Sequence, residues 1–183
     1  VGSRNTPEQL KVTMTFSLTM PGVPFIYYGD EIGMKYQMNL PSKEGSRERA
    51  GTRTPMQWTN GANAGFSTVS DASKLYFPVD TENGKLTVET QEADKASMLN
   101  YVRTLLKLRA ENPALGNDAD WKLLNVKGGQ VYPMVYVRSA AGQKVMVALN
   151  PTAKKVLSTT GKANFKKGKV TLGAFSTLIV ELQ

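Results

Sequence analysis

The sequence predicts an α+β chain, with an α/β portion over residues 1–117 and an antiparallel β-rich portion over 118–183. Three observations carry this. A capped helix runs through Met20-Pro21-Gly22 into the short apolar stretch "VPFIYY". A second helix with an apolar stripe occupies the region 94–113. Beyond Asn117, short β-rich runs recur at regular spacing with Gly and Asn-Pro between them, the pattern of a small sandwich or barrel.

Thr6-Pro7-Glu8-Gln9 suits a helix start, with Thr6 as cap, Pro7 in the first turn and Gln9 at capping-box spacing. Leu10, Val12, Met14, Phe16, Leu18 and Met20 then alternate with polar residues, which is the period of a strand. An eleven-residue strand would be long, and the cap favours a helix. Six apolar residues at that spacing spread around a helix axis, so the helix should be buried on several sides. Val23 to Tyr28 lacks alternation and reads as a strand covered on both faces, ended by Gly29. Residues 35–93 are polar and loop-rich, and so long a loop in a compact domain is usually functional or disordered. In the second helix Met98, Val102, Leu105 and Leu106 form the stripe, Asp94 is the expected cap, and Pro113 is the stop. Arg103, Lys107 and Arg109 suit the negative end of that helix dipole. The domain boundary falls between Pro113 and Trp121.

Composition narrows the chemistry. The chain of 183 residues is 40% hydrophobic and 21% charged, as in soluble globular proteins, and no apolar run is long enough to span a membrane. "VGSR" at the start has neither an initiating Met nor a signal-peptide pattern, so a processed, cleaved or subcloned product is expected. There is no cysteine and no histidine, which excludes disulfides and thiolate metal sites and removes the commonest neutral-pH base. The formal charge of +8 is uneven: residues 1–117 carry 13 Lys and Arg against 12 Asp and Glu, whereas 118–183 carry 10 against 3. The lysine-rich stretch "GKANFKKGKV" (161–170) holds one aromatic and no nucleic-acid motif, so it reads first as a solvated basic surface. No nucleic-acid partner and no membrane is expected.

Two stretches could carry a site. Asp30 and Glu31 follow the apolar run directly. Retaining glycoside hydrolysis needs two carboxyl groups about 5 Å apart across the bond. Neighbours on a strand point to opposite faces, so these two make a poor pair. The simpler expectation is that one caps the following turn and the other pairs with a nearby cation. The second stretch is "GTRTPMQW" (51–58), which puts an Arg, a Gln and a Trp in one loop. Arg can hold a carboxylate while contacting a sugar hydroxyl, and Trp offers a face for a pyranose ring. On residues alone, the loop could equally be one pinned by Trp58. Arg47, Glu48 and Arg49 read as a solvated run, and Tyr27 and Tyr28 as core and rim packing. No phosphate loop, metal-ligand spacing or nucleophile elbow is present.

"MPGVPFIYYGDEIGM" resembles the segment around the eighth barrel strand of the α-amylase superfamily of glycoside hydrolases. "TRTPMQW" is similar to the signature of its exo-acting members, the α-glucosidases, oligo-1,6-glucosidases and trehalose synthases. "LYFPVDTENGKLTVETQEADKASMLNYVRTLLKLRAENPAL" resembles the link into the last barrel helix, and the β-rich tail matches the C-terminal sandwich in position.

The resemblance implies the C-terminal remnant of a (β/α)8 barrel (1–117) followed by an antiparallel β-sandwich (118–183). It implies an enzyme acting on α-linked glucosides with retention. The family's three catalytic carboxylates and its histidines precede this part of the barrel. By that comparison "VGSR" begins just after the seventh-strand motif, so the chain alone is expected to be inactive and to hold no catalytic residue. Arg53 is the one functional residue that carries over, and its implied role is to recognise the terminal glucose. Asp30 and Glu31 become frame residues at the barrel rim. No cofactor or metal is implied. The partner expected is an α-glucoside held by the complete barrel, and the incomplete barrel part is expected to self-associate. Two other readings stand beside this one. The first is a non-catalytic binding or chaperone-like relative, as among amino-acid-transporter heavy chains. The second is a carbohydrate- or anion-binding sandwich.

Overall fold

The computed structural model describes residues 6–80, 86–124, 132–154, 156–159 and 169–182. The chain divides into two compact units, one built on 26–102 and the other on 8–25 with 103–183. Most of the basic 161–170 stretch lies outside the described residues.

In the second unit, helix α1 (Pro7–Thr19) forms as the cap and length predicted, despite its strand-like alternation. It buries Leu10, Val12, Met14 and Leu18 together with Thr15 and Thr19. The threonines are tolerated there because their hydroxyls bond back one turn, Thr15 to Lys11 O at 2.8 Å and Thr19 to Thr15 O at 2.6 Å. Phe16 is the exception to the expected burial and stays exposed.

Strands β1 (Asp120–Leu123), β2 (Met134–Ala140), β3 (Gln143–Asn150) and β6 (Ser176–Leu182) form one antiparallel sheet in the order β1-β2-β3-β6. β4 (Val156–Thr159) and β5 (Lys169–Leu172) pair separately. Strand β3 is buried from Val145 to Asn150 because both of its faces are covered. Val145, Val147 and Leu149 share a cluster with Val12 of α1 and with Ala114 and Leu115. Met146 and Ala148 share another with Val135 and Leu172.

Polar groups lock the first of these clusters. The Tyr136 hydroxyl, fully buried, bonds the Thr19 hydroxyl. Burial pushes the Tyr136 pKa up to about 12, against the opposing pull of Thr19 and Arg138. The folded state therefore requires the neutral phenol. That stability is fully present below pH 10, the unfolded value, and is lost as pH rises from there through about 12. The loss amounts to roughly 3 kcal/mol at the alkaline end. Urea unfolding of Tyr136→Phe should be less stable than wild type at neutral pH and should lack this steep loss. Equal slopes for the two proteins across that alkaline window would contradict the assignment.

In the first unit, α2 (Val88–Ala93) is a short helix within the stretch expected to be loop. Its first amides donate outward, Val88 N to Gln57 O at 3.0 Å and Glu89 N to Trp58 O at 2.9 Å. Helix α3 (Met98–Glu111) begins with the unit's Met98, Leu99 and Val102 buried, and Leu105 is buried further along, while Leu106 is exposed. Its cap is Ser97, whose hydroxyl accepts from Asn100 N at 3.2 Å. Asp94, the expected cap, instead accepts from Ala96 N and closes the preceding turn. The helix ends before Pro113.

The buried strand expected at 23–28 is not formed. These residues are not paired in a sheet, and Val23 and Phe25 are 67% and 93% exposed. A central strand needs neighbours on both sides and layers on both faces, and the described residues supply neither at this place.

Among the described residues no helix is long and apolar enough to cross a membrane.

Candidate functional site

The site is built on the turn that follows the exposed stretch. Gly29 adopts φ 87°, and a Cβ there would meet Met34 Sδ at 2.5 Å, so only glycine fits this corner. The turn then closes as a short 3-10 helix at Asp30–Ile32, with Ile32 buried against Met56 and Leu99. Gln91 fastens this corner to both helices of the unit. It is 6% exposed, donates to Ile32 O at 2.7 Å and accepts from Leu99 N at 3.0 Å.

A second 3-10 turn, Arg47–Thr52, lies against it. Gln37 N donates to Gly51 O at 3.1 Å, and a Cβ on Gly51 would sit 2.2 Å from Gln37 O and 2.7 Å from the Tyr36 ring. Gly51→Ala should therefore push the two walls apart and cost about 1–3 kcal/mol in urea unfolding. A neutral effect would mean that the walls are not in contact.

Between these turns lies a cavity of about 340 Å3, near the lower limit of ligand sites, roughly 300–1,000 Å3. Its lining includes Tyr28, Asp30, Lys35, Tyr36, Arg49 and Arg53. Three cations thus face one carboxylate. The Tyr28 hydroxyl donates to Thr54 O at 3.0 Å and its ring lies 4.7 Å from that of Tyr27. Burial raises the Tyr28 pKa, the Tyr27 phenol raises it further, and the Arg53 cation works against both.

Arg53 is exposed, and its guanidinium has no hydrogen-bond or ion-pair partner among the described residues. Its backbone is fixed, since Arg53 N donates to Ala50 O at 3.0 Å. A free guanidinium on a fixed backbone can hold a carboxylate or a pair of hydroxyls by two parallel bonds.

The structure sorts the other candidates. Trp58 is 49% exposed and lines no part of this cavity, while Thr54, Met56 and Gln57 are buried. The "TRTPMQW" loop is thus pinned by its middle and not by its Trp. Asp30 lines the cavity, and its backbone carbonyl, not its carboxylate, closes the turn by accepting from Gly33 N. Glu31 has no cation partner among the described residues, and its Oε2 is buried without a hydrogen bond. Among the described residues the expected cap and ion pair are therefore both absent, and the 3-10 turn is held by main-chain bonds and by the Gln91 side chain. Arg49, expected to lie in a solvated run, lines the cavity, as do Lys35 and Tyr36. Sequence reading missed these three because their convergence depends on two turns meeting. Among the described residues no group of three or more acidic side chains could hold a metal ion.

Comparison with known proteins gives the family. Residues 2–118 match the model of the alpha amylase catalytic domain. Trehalose synthase/amylase TreS of Mycobacterium tuberculosis is 37% identical over 142 residues, which are 75% of this chain and 22% of that protein. Alpha-amylase 3 of Dictyoglomus thermophilum is 30% identical over 177 residues, 90% of this chain and 32% of that protein. The chain thus spans between a fifth and a third of the length of these relatives. Among solved structures, isomaltulose synthase (PalI) from Klebsiella sp. LX3 superposes with a TM-score of 0.78 at 22% identity, over 97% of this chain and 38% of that one. The alpha-glucosyl transfer enzyme XgtA gives 0.83 at 22% identity, over 100% and 37%. The family match covers more than half of the chain, and the chain belongs to the alpha-amylase catalytic-domain family.

Proposed function

We propose that this chain is the C-terminal portion of a retaining enzyme that cleaves or transfers α-linked glucose, and that Arg53 recognises the sugar at the non-reducing end. The observation that carries the reading is Arg53 itself, a guanidinium with no partner among the described residues, on a fixed turn that lines a cavity with tyrosine walls. The similarity to TreS and to alpha-amylase 3 supports the same class of chemistry.

In this reading residues 1–117 complete a (β/α)8 barrel, and 118–183, which follow it in sequence, form a distinct β-sandwich domain. The catalytic carboxylates come from the preceding polypeptide. The first carboxylate attacks the anomeric carbon while a carboxylic acid protonates the leaving oxygen, and water or a sugar acceptor then displaces the enzyme. Arg53 takes no part in bond breaking. Its excess of positive neighbours, Lys35 and Arg49, suits a wall that faces carboxylates. The exposed Val23 and Phe25, and the buried unpartnered Oε2 of Glu31, are places where the rest of the barrel would supply cover and a donor. The chain by itself would have no glycosidase activity and would self-associate through that apolar stretch.

The test is the anomeric configuration of the first product. The complete polypeptide, given maltose, isomaltose or trehalose, should release α-glucose or an α-glucoside, read by proton NMR before mutarotation. Release of β-glucose from trehalose, whose departing glucose also leaves as the α anomer, would rule out the retaining mechanism. No turnover of any of the three would favour a non-catalytic binding relative.

A further inference from the structure

A second cavity, of about 360 Å3, lies in the same unit and shares no residue with the Arg53 cavity. Its character is opposite. Among the described residues no cation lines it, and Asp80 is the one carboxylate. Gln57 lines it while being only 2% exposed, and the Gln57 amide nitrogen is buried with no hydrogen-bond partner. A buried amide left unpaired is costly, and such groups are normally satisfied by something.

The surrounding polar groups are held in fixed positions with specific valences left over. Asn63 donates through Nδ2 to Ser67 O at 3.1 Å and Val69 O at 2.7 Å, which leaves its side-chain oxygen as a free acceptor. The Thr59 hydroxyl accepts from Gly61 N at 3.2 Å and keeps its own hydrogen to donate. Asn63, Ala64 and Gly65 take three successive left-handed conformations, φ 49°, 51° and 68°. Trp58 N and Thr59 N both donate to Ala64 O, at 2.8 and 3.0 Å, and hold that turn in place. Non-glycine residues are kept in this region only where their surroundings enforce it, and such places cluster at binding sites. Leu75 and Pro78 supply an apolar wall.

We propose that this cavity is a second binding site, taking a neutral polyhydroxylated ligand the size of one hexose ring. Adjacent ring hydroxyls each donate and accept, and so match the Gln57 amide, the Asn63 oxygen and the Thr59 hydroxyl. The apolar wall fits the C–H face of the ring. A phosphate or carboxylate would find no cation among the described lining residues. The site is independent of the Arg53 reading and would serve to hold carbohydrate, not to cleave it.

The experiment is a titration of the isotopically labelled 183-residue chain with D-glucose, followed by NMR at the side-chain amides of Gln57 and Asn63. A saturable shift at both is expected. Gln57→Leu and Thr59→Val should each weaken binding by roughly 5-fold, the loss of about one hydrogen bond. Arg53→Ala should leave the affinity unchanged. Thr59→Val keeps the shape of the side chain and so tests the site even if Gln57→Leu disturbs folding. Absence of a saturable shift up to the solubility of the sugar would overturn the proposal. So would loss of the shift in Arg53→Ala, or shifts at the same amides with inorganic phosphate in place of glucose.

Discussion

Arg53→Ala in the complete polypeptide is expected to lower kcat/KM for maltose by about 30- to 150-fold. The figure follows from losing one charge-assisted contact, about 2–3 kcal/mol, with no covalent step removed. Most of the change should be in KM if the guanidinium holds the terminal sugar equally in the ground and transition states. Arg53→Lys should recover little, because a single ammonium cannot reproduce a planar fork of donors. The melting temperature should hardly move, since the Arg53 side chain is exposed and has no partner among the described residues. That pairing of lost activity with kept stability separates recognition from a structural role. An unchanged kcat/KM would remove Arg53 from the site.

Arg138 predicts the reverse pattern. It is fully buried and donates only to backbone carbonyls, to Thr19 O at 2.5 Å, Gly116 O at 2.6 Å, and Asp120 O and Ala119 O at 3.2 Å. Burial, and then the nearby Arg109 cation, lowers its pKa. Arg138→Met would keep most of the packing and leave these carbonyls with nothing to accept from. The cost should be about 3–5 kcal/mol, large against the net stability of any domain. Urea unfolding of the chain would show it directly, and a loss under about 1 kcal/mol would mean that water replaces the guanidinium. Arg109 does similar work through Leu18 O, Met20 O, Gly22 O and the Asn117 side chain, but near the surface. Its truncation should therefore cost less.

The helices and the tail were legible for reasons that lie within a few residues of each other. Caps, prolines and turn residues act locally, so α1, α3 and the six strands appear where their signals stand. Strand-like alternation in α1 did not mislead, because Thr15 and Thr19 satisfy their hydroxyls along the helix itself. Residues 23–28 show the opposite case. Their apolar character reports the layers that a buried strand would have, and the described residues do not contain those layers.

What could not be read depends on contacts across the chain. Gln91 is an ordinary polar residue in sequence, yet it binds Ile32, far from it in the chain, and Leu99. Arg138 is not marked out within the run "VYVRSA", and only the four carbonyls around it explain its burial. The convergence of Lys35, Arg49 and Arg53 on one cavity was equally invisible, because two irregular turns bring them together. Arg53 stood out in the sequence only through the family signature around it. Residue type and spacing alone left its loop open to two readings.

The most direct test of the account compares this 183-residue chain with the complete polypeptide for turnover of maltose, at matched molar concentration and with folding checked by circular dichroism. The account predicts turnover by the complete polypeptide and none by the chain, whose part is to shape the cavity and present Arg53. Maltose hydrolysis or glucosyl transfer by the folded chain alone would contradict it, and would place a nucleophile and an acid among these residues.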